Sequence, residues 1–188
     1  MVSALQPDAA LRPVRRRHLN TATLACARFG RRRDIPKRFS GDDTCVMNIH
    51  GPVWTQVYTA AKHDPRTLRR VDIPTTPGVY IWFQGGQPVY VGRAKGAKGL
   101  RDRLSIHLAK NLDLSRSTFR ASVASDLLGL SRTVTRARPT VMTLEQVALV
   151  NDWIASCRLA WVECDSVDAT ITFEAALILE WRPPLNIQ

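Results

Sequence analysis

Closely spaced cysteine pairs are absent from this sequence. Its four cysteines are Cys26, Cys45, Cys157 and Cys164, and no two of them form a C-x-x-C motif. Structural zinc sites usually draw their ligands from such close pairs, so the spacing argues against a zinc module. A set of Cys26, Cys45 and His50 is left as a minor candidate for a metal. Reduced thiols of a cytosolic protein are the simpler expectation.

Long apolar runs are also missing. No segment approaches the roughly 18 consecutive apolar residues of a membrane span, so no membrane partner is predicted. The stretch from Leu19 to Ala27 follows three arginines and faintly resembles an export or transit signal. It is short, contains asparagine and threonine, and is soon followed by Arg28, so we do not assign it that function.

Acidic residues are scarce relative to basic ones. The chain has 16 Asp and Glu against 27 Lys and Arg, a net charge of +11, and a pI near 10.4. This balance favours a polyanionic partner. Residues 1–50 hold 10 basic and 4 acidic residues, a surplus of 6 out of the net 11. The surplus predicts either a nucleic-acid-binding arm or a solvated basic tail.

The chain is organised as one domain with an N-terminal extension. An apolar fraction of 45% supports a hydrophobic core in a domain of ordinary size. Residues 1–46 are rich in arginine without sustained periodicity, and we predict a basic, flexible extension. Residues 47–77 are predicted to hold a short helix from Trp54 to Lys62 and a proline-punctuated linker. The predicted core domain is then 78–188, with 113–142 as an insertion.

Met47 opens the more regular part of the sequence. We therefore hypothesise a translation start at this methionine, which would leave a complete domain. Intact-mass measurement of natively expressed protein tests it, since an N-terminus at Met1 or Val2 would contradict it.

The predicted domain begins with a β-hairpin. Val79 to Phe83 is β-branched and aromatic, Gly85-Gly86 suits a turn, and Pro88 to Val91 is a second strand. A regular two-residue turn would place Tyr80 and Tyr90 on opposite faces of the sheet. If both tyrosines belong to one site, the connection must contain an odd number of residues or a bulge. The proline makes an uninterrupted ladder less favourable.

A glycine-rich basic loop and a helix follow the hairpin. The loop over 93–99 carries Arg93, Lys95 and Lys98, which could line a phosphate path or simply be solvated. Over 100–110, leucines recur every fourth residue and predict a core-facing helix, and beside them lies a polar stripe of Arg103, His107 and Lys110. Taken alone, such a stripe is usually a solvated face.

The remaining segments predict an α+β fold. Within 113–142 we predict one helix from about Phe119 to Leu128 and then an arginine-rich loop. Further on, the pattern predicts a helix over Leu144–Ser156, a third strand over Leu159–Cys164 and a last helix over Asp168–Trp181, which Pro183-Pro184 ends.

Glu174 is the most informative acid of the sequence. On a helical wheel it lies among Ile171, Leu177 and Ile178, with Trp181 one turn further on. A carboxylate on such a face costs free energy unless it is paired, protonated or metal-bound. A functional acid, a structural salt bridge (for example to Arg103) and simple exposure at a helix edge are the alternatives.

Together these blocks resemble the GIY-YIG nuclease superfamily. Its naming motifs match Gly78-Val79-Tyr80 and Tyr90-Val91-Gly92, its helix arginine matches Arg103, its metal-binding glutamate matches Glu174, and its closing element matches Pro184-Leu185-Asn186. The blocks occur in family order from residue 78 to 186. The stretch between Gly92 and Arg103 is a few residues longer than the family pattern. This leaves Arg101 as an alternative for the helix arginine. The i+4 relation to His107 favours Arg103.

The resemblance implies a three-stranded antiparallel sheet flanked by helices and hydrolysis of DNA with one divalent cation, Mg²⁺ or Mn²⁺. It implies Glu174 as metal ligand, Tyr80 as general base and Arg103 as stabiliser of the phosphorane. Tyr90 would donate a hydrogen bond to the water or phosphate, and His107 would assist proton transfer or bind phosphate. Candidate DNA contacts are Arg93, Lys95, Lys98 and Arg101.

The proposed base sets an electrostatic condition. An unperturbed phenol titrates near pH 10, so a base role for Tyr80 requires a cationic environment that lowers its pKa. We expect Arg93, Lys95 and the metal to supply that field. The absence of an Asp/Glu cluster in the sequence suits one metal rather than two.

Two other functions compete with a nuclease. One is a non-catalytic DNA- or RNA-binding module on the same fold, and the other is a structural α/β protein whose basic tail binds nucleic acid or a ribosome. The protein is expected in the cytoplasm, and in association with the nucleoid if it is bacterial. Oligomeric state and the choice of DNA stay open.

Overall fold

The computed structural model describes residues 50–186. The basic extension over 1–46, the proposed start at Met47 and the pair Cys26 and Cys45 therefore lie outside the described residues. Within them, no helix is both long and apolar enough to cross a membrane.

A three-stranded antiparallel sheet forms the centre of the domain. Its strands are β1 (Gly78–Gln84), β2 (Gln87–Ala94) and β3 (Arg158–Glu163), in the spatial order β2-β1-β3. The central strand β1 is buried along all but its last residue, because it has a strand on each edge and helices on both faces. This arrangement confirms the predicted α+β fold.

The helices flank the sheet in two layers. They are α1 (Thr55–Thr59), α2 (Gly99–Leu108), α3 (Thr118–Leu128), α4 (Arg132–Thr135), α5 (Leu144–Ala155) and α6 (Val167–Glu180), and 3₁₀ turns cover Pro52–Trp54 and Arg70–Asp72. Four of them lie within two residues of their predicted bounds. The helix predicted to reach Lys62 is wrong at its end: the backbone is extended at Ala60, and His63 pairs with Leu159 of β3.

Each face of the sheet carries its own core. Tyr80, Trp82 and Tyr90 belong to a core that α2, α3 and α5 cover. Val79, Ile81 and Phe83 belong to the opposite core, which α1 and α6 cover. This division follows from the alternation of side chains along a strand.

The segment over 113–142 contributes to the first of these cores. Leu114 and Phe119 are completely buried in it. The Phe119 ring stacks on Trp82 with centroids 4.5 Å apart and also contacts Tyr90 at 5.0 Å. The segment therefore covers the tyrosine face of the sheet.

The C-terminal element closes the outer edge of β2. The Asn186 amide accepts from the Val91 N–H at 2.8 Å and donates to the Val91 carbonyl at 2.7 Å. The Leu185 N–H donates to the Val89 carbonyl at 3.0 Å. One side chain thus satisfies both backbone groups of an edge-strand residue, which an open edge would leave unpaired.

Candidate active site

A β-bulge brings the two motif tyrosines to one face. Gly85 and Gly86 both have positive φ, 57° and 82°, which suits a tight two-residue hairpin turn. Phe83 then pairs with Pro88, but Trp82 pairs with Tyr90, so Val89 is the extra residue of the bulge. The bulge is one of the two alternatives that the sequence predicted for a shared site.

The glycine of the second motif makes room for the tyrosine of the first. Tyr80 lies opposite Gly92 in the ladder. A Cβ at Gly92 would overlap the hydroxyl end of the Tyr80 ring. A Cβ at Gly78 would likewise overlap the Val162 carbonyl and the Leu100 side chain. Both motif glycines therefore have a packing function.

Helix α2 directs two polar side chains to the Tyr80 hydroxyl. The Arg103 Nε–H donates to it at 3.3 Å, and His107 Nε2 lies 2.7 Å from it. Tyr80 and His107 are each only 1% exposed. The i, i+4 spacing of Arg103 and His107 places both on the same helix face.

Ser117 extends this network and was missed by the sequence analysis. Its Oγ lies 2.7 Å from His107 Nδ1, and it accepts from the Arg120 N–H at 3.0 Å as the N-cap of α3. Serine before a helix signals a cap, but its contact with His107 spans ten residues and carries no sequence signal.

Glu174 reaches the site from the opposite side of the sheet. Helix α6 packs against the other face of the sheet. Its Glu174 carboxylate forms an ion pair with Arg93 of β2, and Nη1 lies 2.5 Å from Oε2. The side chain is 13% exposed. The ion-pair partner is thus Arg93, and the alternative pair with Arg103 is wrong. Burial raises the pKa of Glu174, and the lowering effect of Arg93 only partly offsets this.

A cleft of about 450 Å³ joins these groups. Its walls include six of the predicted site residues: Tyr80, Tyr90, Arg93, Lys95, Arg103 and Glu174. Asp102 and Ile106 also line it and were not predicted. His107 does not line the cleft; it contacts Tyr80 from the buried side.

Two of the predicted DNA-contact residues lie outside the cleft walls. Lys98 is exposed at the start of α2. Arg101 donates to the carbonyls of Ile73 at 2.7 Å and Val71 at 3.3 Å. Its guanidinium therefore binds the backbone of the linker that precedes β1. Of the two candidate arginines, Arg103 is the one that contacts Tyr80.

The side chains around Tyr80 do not by themselves lower its pKa. Burial raises the pKa of Tyr80 well above its usual range, and the Tyr90 hydroxyl adds to the effect. Arg103 acts in the lowering direction but is outweighed. Burial also raises the pKa of Tyr90. Arg93 is already paired with Glu174, and Lys95 is exposed, so neither supplies the expected field.

The acidic residues present suit one hydrated hard cation. Among residues 50–186, no group of three or more His, Cys, Asp or Glu side chains could hold a metal. Two carboxylates line the cleft with Tyr80 and Arg103: Asp102 is exposed, and Glu174 is partly buried in the wall. Mg²⁺ commonly keeps several waters and binds proteins through one or two carboxylates, so this donor set fits it.

The cleft gathers two tyrosines, two arginines, Lys95 and the carboxylates of Asp102 and Glu174. Sequence similarity defines the enzyme class as a nuclease, whose substrate is a nucleic acid. The family model of the GIY-YIG catalytic domain matches residues 67–188. The chain therefore belongs to the GIY-YIG family.

Two relatives illustrate the similarity. A 35-residue segment is 54% identical to UvrABC system protein C of Deinococcus radiodurans and covers 19% of this chain and 5% of that protein. The chain thus matches only a small part of the length of this relative. A solved structure of the GIY-YIG N-terminal endonuclease domain of UvrC from Thermotoga maritima, a point mutant bound to its catalytic divalent cation, aligns with 21% identity and a TM-score of 0.39. That alignment covers 68% of this chain and 100% of the other.

Proposed function

We propose that this protein is a DNA endonuclease that hydrolyses phosphodiester bonds with one divalent cation, Mg²⁺ or Mn²⁺. The observation that carries the proposal is the single cleft that gathers Tyr80 from β1, Arg103 from α2 and Glu174 from α6. These groups come from both faces of the sheet and from segments nearly 100 residues apart, which a structural salt bridge alone would not require.

Glu174 is the residue that would hold the cation. When bound, such a cation would supply Lewis-acid chemistry to the phosphodiester. The carboxylate is half-enclosed by the cleft and is already placed next to cationic side chains, with Arg93 as its partner. Arg93 lines the same cleft and would contact a phosphate as a forked donor.

Tyr80 is the proposed acceptor of the proton of the attacking water. With Tyr80 as a phenolate, a bond forms between the water oxygen and phosphorus, the proton of the water passes to the Tyr80 oxygen, the bond to the leaving oxygen breaks, and the leaving oxygen takes up a proton from solvent. Burial opposes the phenolate, so the hydrogen bond from Arg103 and the positive charge of the loaded site must favour it. Arg103 also stabilises charge on the phosphorane.

Tyr90 and His107 are proposed to assist in different ways. Tyr90 is 6% exposed and lines the cleft, where its hydroxyl can donate to the water or the phosphate. His107 is buried behind Tyr80 at hydrogen-bond distance, so its proposed role is toward Tyr80 rather than toward phosphate.

The proposed DNA path runs along the basic loop after β2. Lys95 lies in the cleft wall and Lys98 is exposed nearby in the chain. Arg101 receives the least support, because its guanidinium binds linker carbonyls. Contacts of this kind position the backbone of DNA without reading its sequence. For a bacterial protein we propose the cytoplasm and association with the nucleoid.

The test is to incubate the purified full-length protein with plasmid and single-stranded DNA, with Mg²⁺, with Mn²⁺ and with EDTA, and to sequence the ends produced. Cleavage in the presence of metal and none in EDTA is expected. The competing function, a non-catalytic nucleic-acid-binding module, predicts retarded DNA in a gel shift and no new ends under any condition.

A further inference from the structure

We propose that Ser117 is a positioning residue of this site: its hydroxyl donates to Nδ1 of His107 and holds the imidazole as the Nε2–H tautomer, which donates to the Tyr80 oxygen. The inference rests on the proposed function, since it concerns the hydrogen bonds of the tyrosine proposed as base. Ser117 lies within the segment over 113–142, outside every motif that carries the family resemblance.

The three side chains form a continuous buried chain. Tyr80 Oη lies 2.7 Å from His107 Nε2, and His107 Nδ1 lies 2.7 Å from Ser117 Oγ. Tyr80, His107 and Ser117 are each 1% exposed. Water therefore has little access to His107 and Ser117, and every donor of these two side chains must find its acceptor within the protein.

At each end of this series of hydrogen bonds lies a group that can donate but cannot accept. The guanidinium of Arg103 can only donate, so the Tyr80 oxygen accepts from it. The backbone N–H of Arg120 can only donate, so the Ser117 oxygen accepts from it. Two directions of hydrogen bonding through His107 are compatible with these ends.

In the first direction, Tyr80 donates to Nε2 and the Nδ1–H donates to Ser117. The hydroxyl proton of Ser117 is then left over. Within residues 50–186, the partners of Ser117 Oγ are His107 Nδ1 and the Arg120 N–H, and neither could accept that proton. A buried donor without an acceptor is costly, so this direction is disfavoured.

In the second direction, Ser117 donates to Nδ1 and the Nε2–H donates to Tyr80. The proton left over is now that of Tyr80, whose side chain lines the cleft, so this proton can point into the cleft. The N–H of His107 and the hydroxyl of Ser117 then both have acceptors. The Tyr80 oxygen receives two donors, Arg103 and His107, and both favour a phenolate.

The charges around His107 agree with a neutral imidazole. Its pKa is lowered well below the usual value by burial first, and then by Arg103 on its own helix and Arg120 on α3. The other titratable groups that face it are the hydroxyls of Tyr80 and Tyr90. His107 thus acts as a hydrogen-bond donor, and the proton of Tyr80 leaves through the cleft.

The decisive experiment is side-chain ¹⁵N NMR of the metal-free, wild-type protein. His107 is assigned by comparison with His107→Gln. The expected result is a proton on Nε2 and none on Nδ1. A proton on Nδ1, alone or together with one on Nε2, would overturn the inference. This readout needs no cleavage, so it decides the tautomer even if the proposed nuclease activity fails.

Substitutions at Ser117 connect the tautomer to function. Ser117→Thr retains a hydroxyl and a helix cap, and wild-type tautomer and cleavage are expected. Ser117→Asp also caps the helix but can only accept, so the proton should move to Nδ1 and cleavage should fall about a hundredfold, as for the loss of a donor to reacting oxygen. Ser131→Asp, at the cap of α4, is the matched control and should change neither.

An unchanged tautomer and unchanged cleavage in folded Ser117→Asp would overturn the positioning role. If that variant does not fold, loss of the Nε2–H tautomer or of cleavage in folded Ser117→Thr would do the same. Absence of cleavage in the wild type would instead count against the proposed function.

Discussion

Tyr80 and Gly92 face each other across the β1–β2 ladder, and the tyrosine hydroxyl occupies the space that a side chain at Gly92 would fill. The two motifs are therefore parts of a single packing unit. The first supplies the hydroxyl of the proposed base, and the second supplies the gap that lets it reach Arg103 and His107.

Gly92→Ala tests this relationship. The added methyl group must displace the buried Tyr80 ring, so we expect a loss of about 1–3 kcal/mol in the free energy of unfolding, as for overpacked cores, together with loss of cleavage. Chemical denaturation and a nicking assay measure the two effects. Gly96→Ala is the control, because a Cβ there meets nothing within 4 Å. A Gly92→Ala protein as active as the control would contradict the account.

Tyr80→Phe removes one hydroxyl and retains the ring. The protein should fold, and cleavage should fall by about 10² to 10⁴, the usual contribution of a general base. Single-turnover kinetics at saturating DNA measures it. Tyr58→Phe is the control: the Tyr58 hydroxyl bonds His50 outside the cleft, so turnover should not change. Near-wild-type turnover of Tyr80→Phe would remove the base role.

The ionisation of Glu174 should reduce stability at neutral pH. Because burial raises its pKa in the folded protein, the folded state binds a proton more tightly than the unfolded state does. The stability tied to this group is fully present below its ordinary pKa and is lost as the pH rises through the raised value. Metal-free Glu174→Gln should therefore be more stable than wild type at pH 7.

Denaturation curves from neutral pH down to about pH 4 measure that difference, which should shrink as the pH approaches the ordinary pKa of a glutamate. Asp152→Asn is a suitable control, since Asp152 is an exposed carboxylate on α5. A Glu174→Gln protein that is less stable at pH 7 would show that the pair with Arg93 outweighs burial.

Lys95 and Arg101 should separate DNA contact from folding. Lys95→Ala removes an exposed cation of the cleft wall, so DNA affinity should weaken. The salt slope, which is the slope of the logarithm of the binding constant against the logarithm of the salt concentration, should fall in magnitude by about one. Arg101→Ala breaks hydrogen bonds to the linker, so stability should fall with little change in the salt slope. Fluorescence anisotropy at several salt concentrations, alongside thermal melts, measures both. A larger salt effect at Arg101 would reverse the assignment.

The sequence predicted the fold well because its elements are marked locally. The Gly-Gly turn, the β-branched strand residues and the leucine repeat of α2 are local signals, and the bulge followed from requiring both tyrosines on one face. The failures are long-range. The pair of Glu174 with Arg93 joins residues 81 positions apart, and the contact of Ser117 with His107 depends on how α3 packs.

Electrostatics was the least predictable feature of the site. Motif residues indicate which charged groups lie close together, but the pKa of Tyr80 also depends on how deeply its side chain is buried. The segment over 113–142 adds to that burial, because its Phe119 and Leu114 lie in the same core as Tyr80. A segment that the sequence presented as an insertion therefore shapes the surroundings of the proposed base.

Plasmid cleavage by wild type and Glu174→Gln, titrated with Mg²⁺ and compared at equal DNA occupancy, tests the central claim most directly. The account predicts that the wild type cuts in proportion to bound metal, and that the variant binds DNA but produces no ends at any metal concentration. Mg²⁺-dependent cutting by Glu174→Gln at the wild-type rate would contradict it.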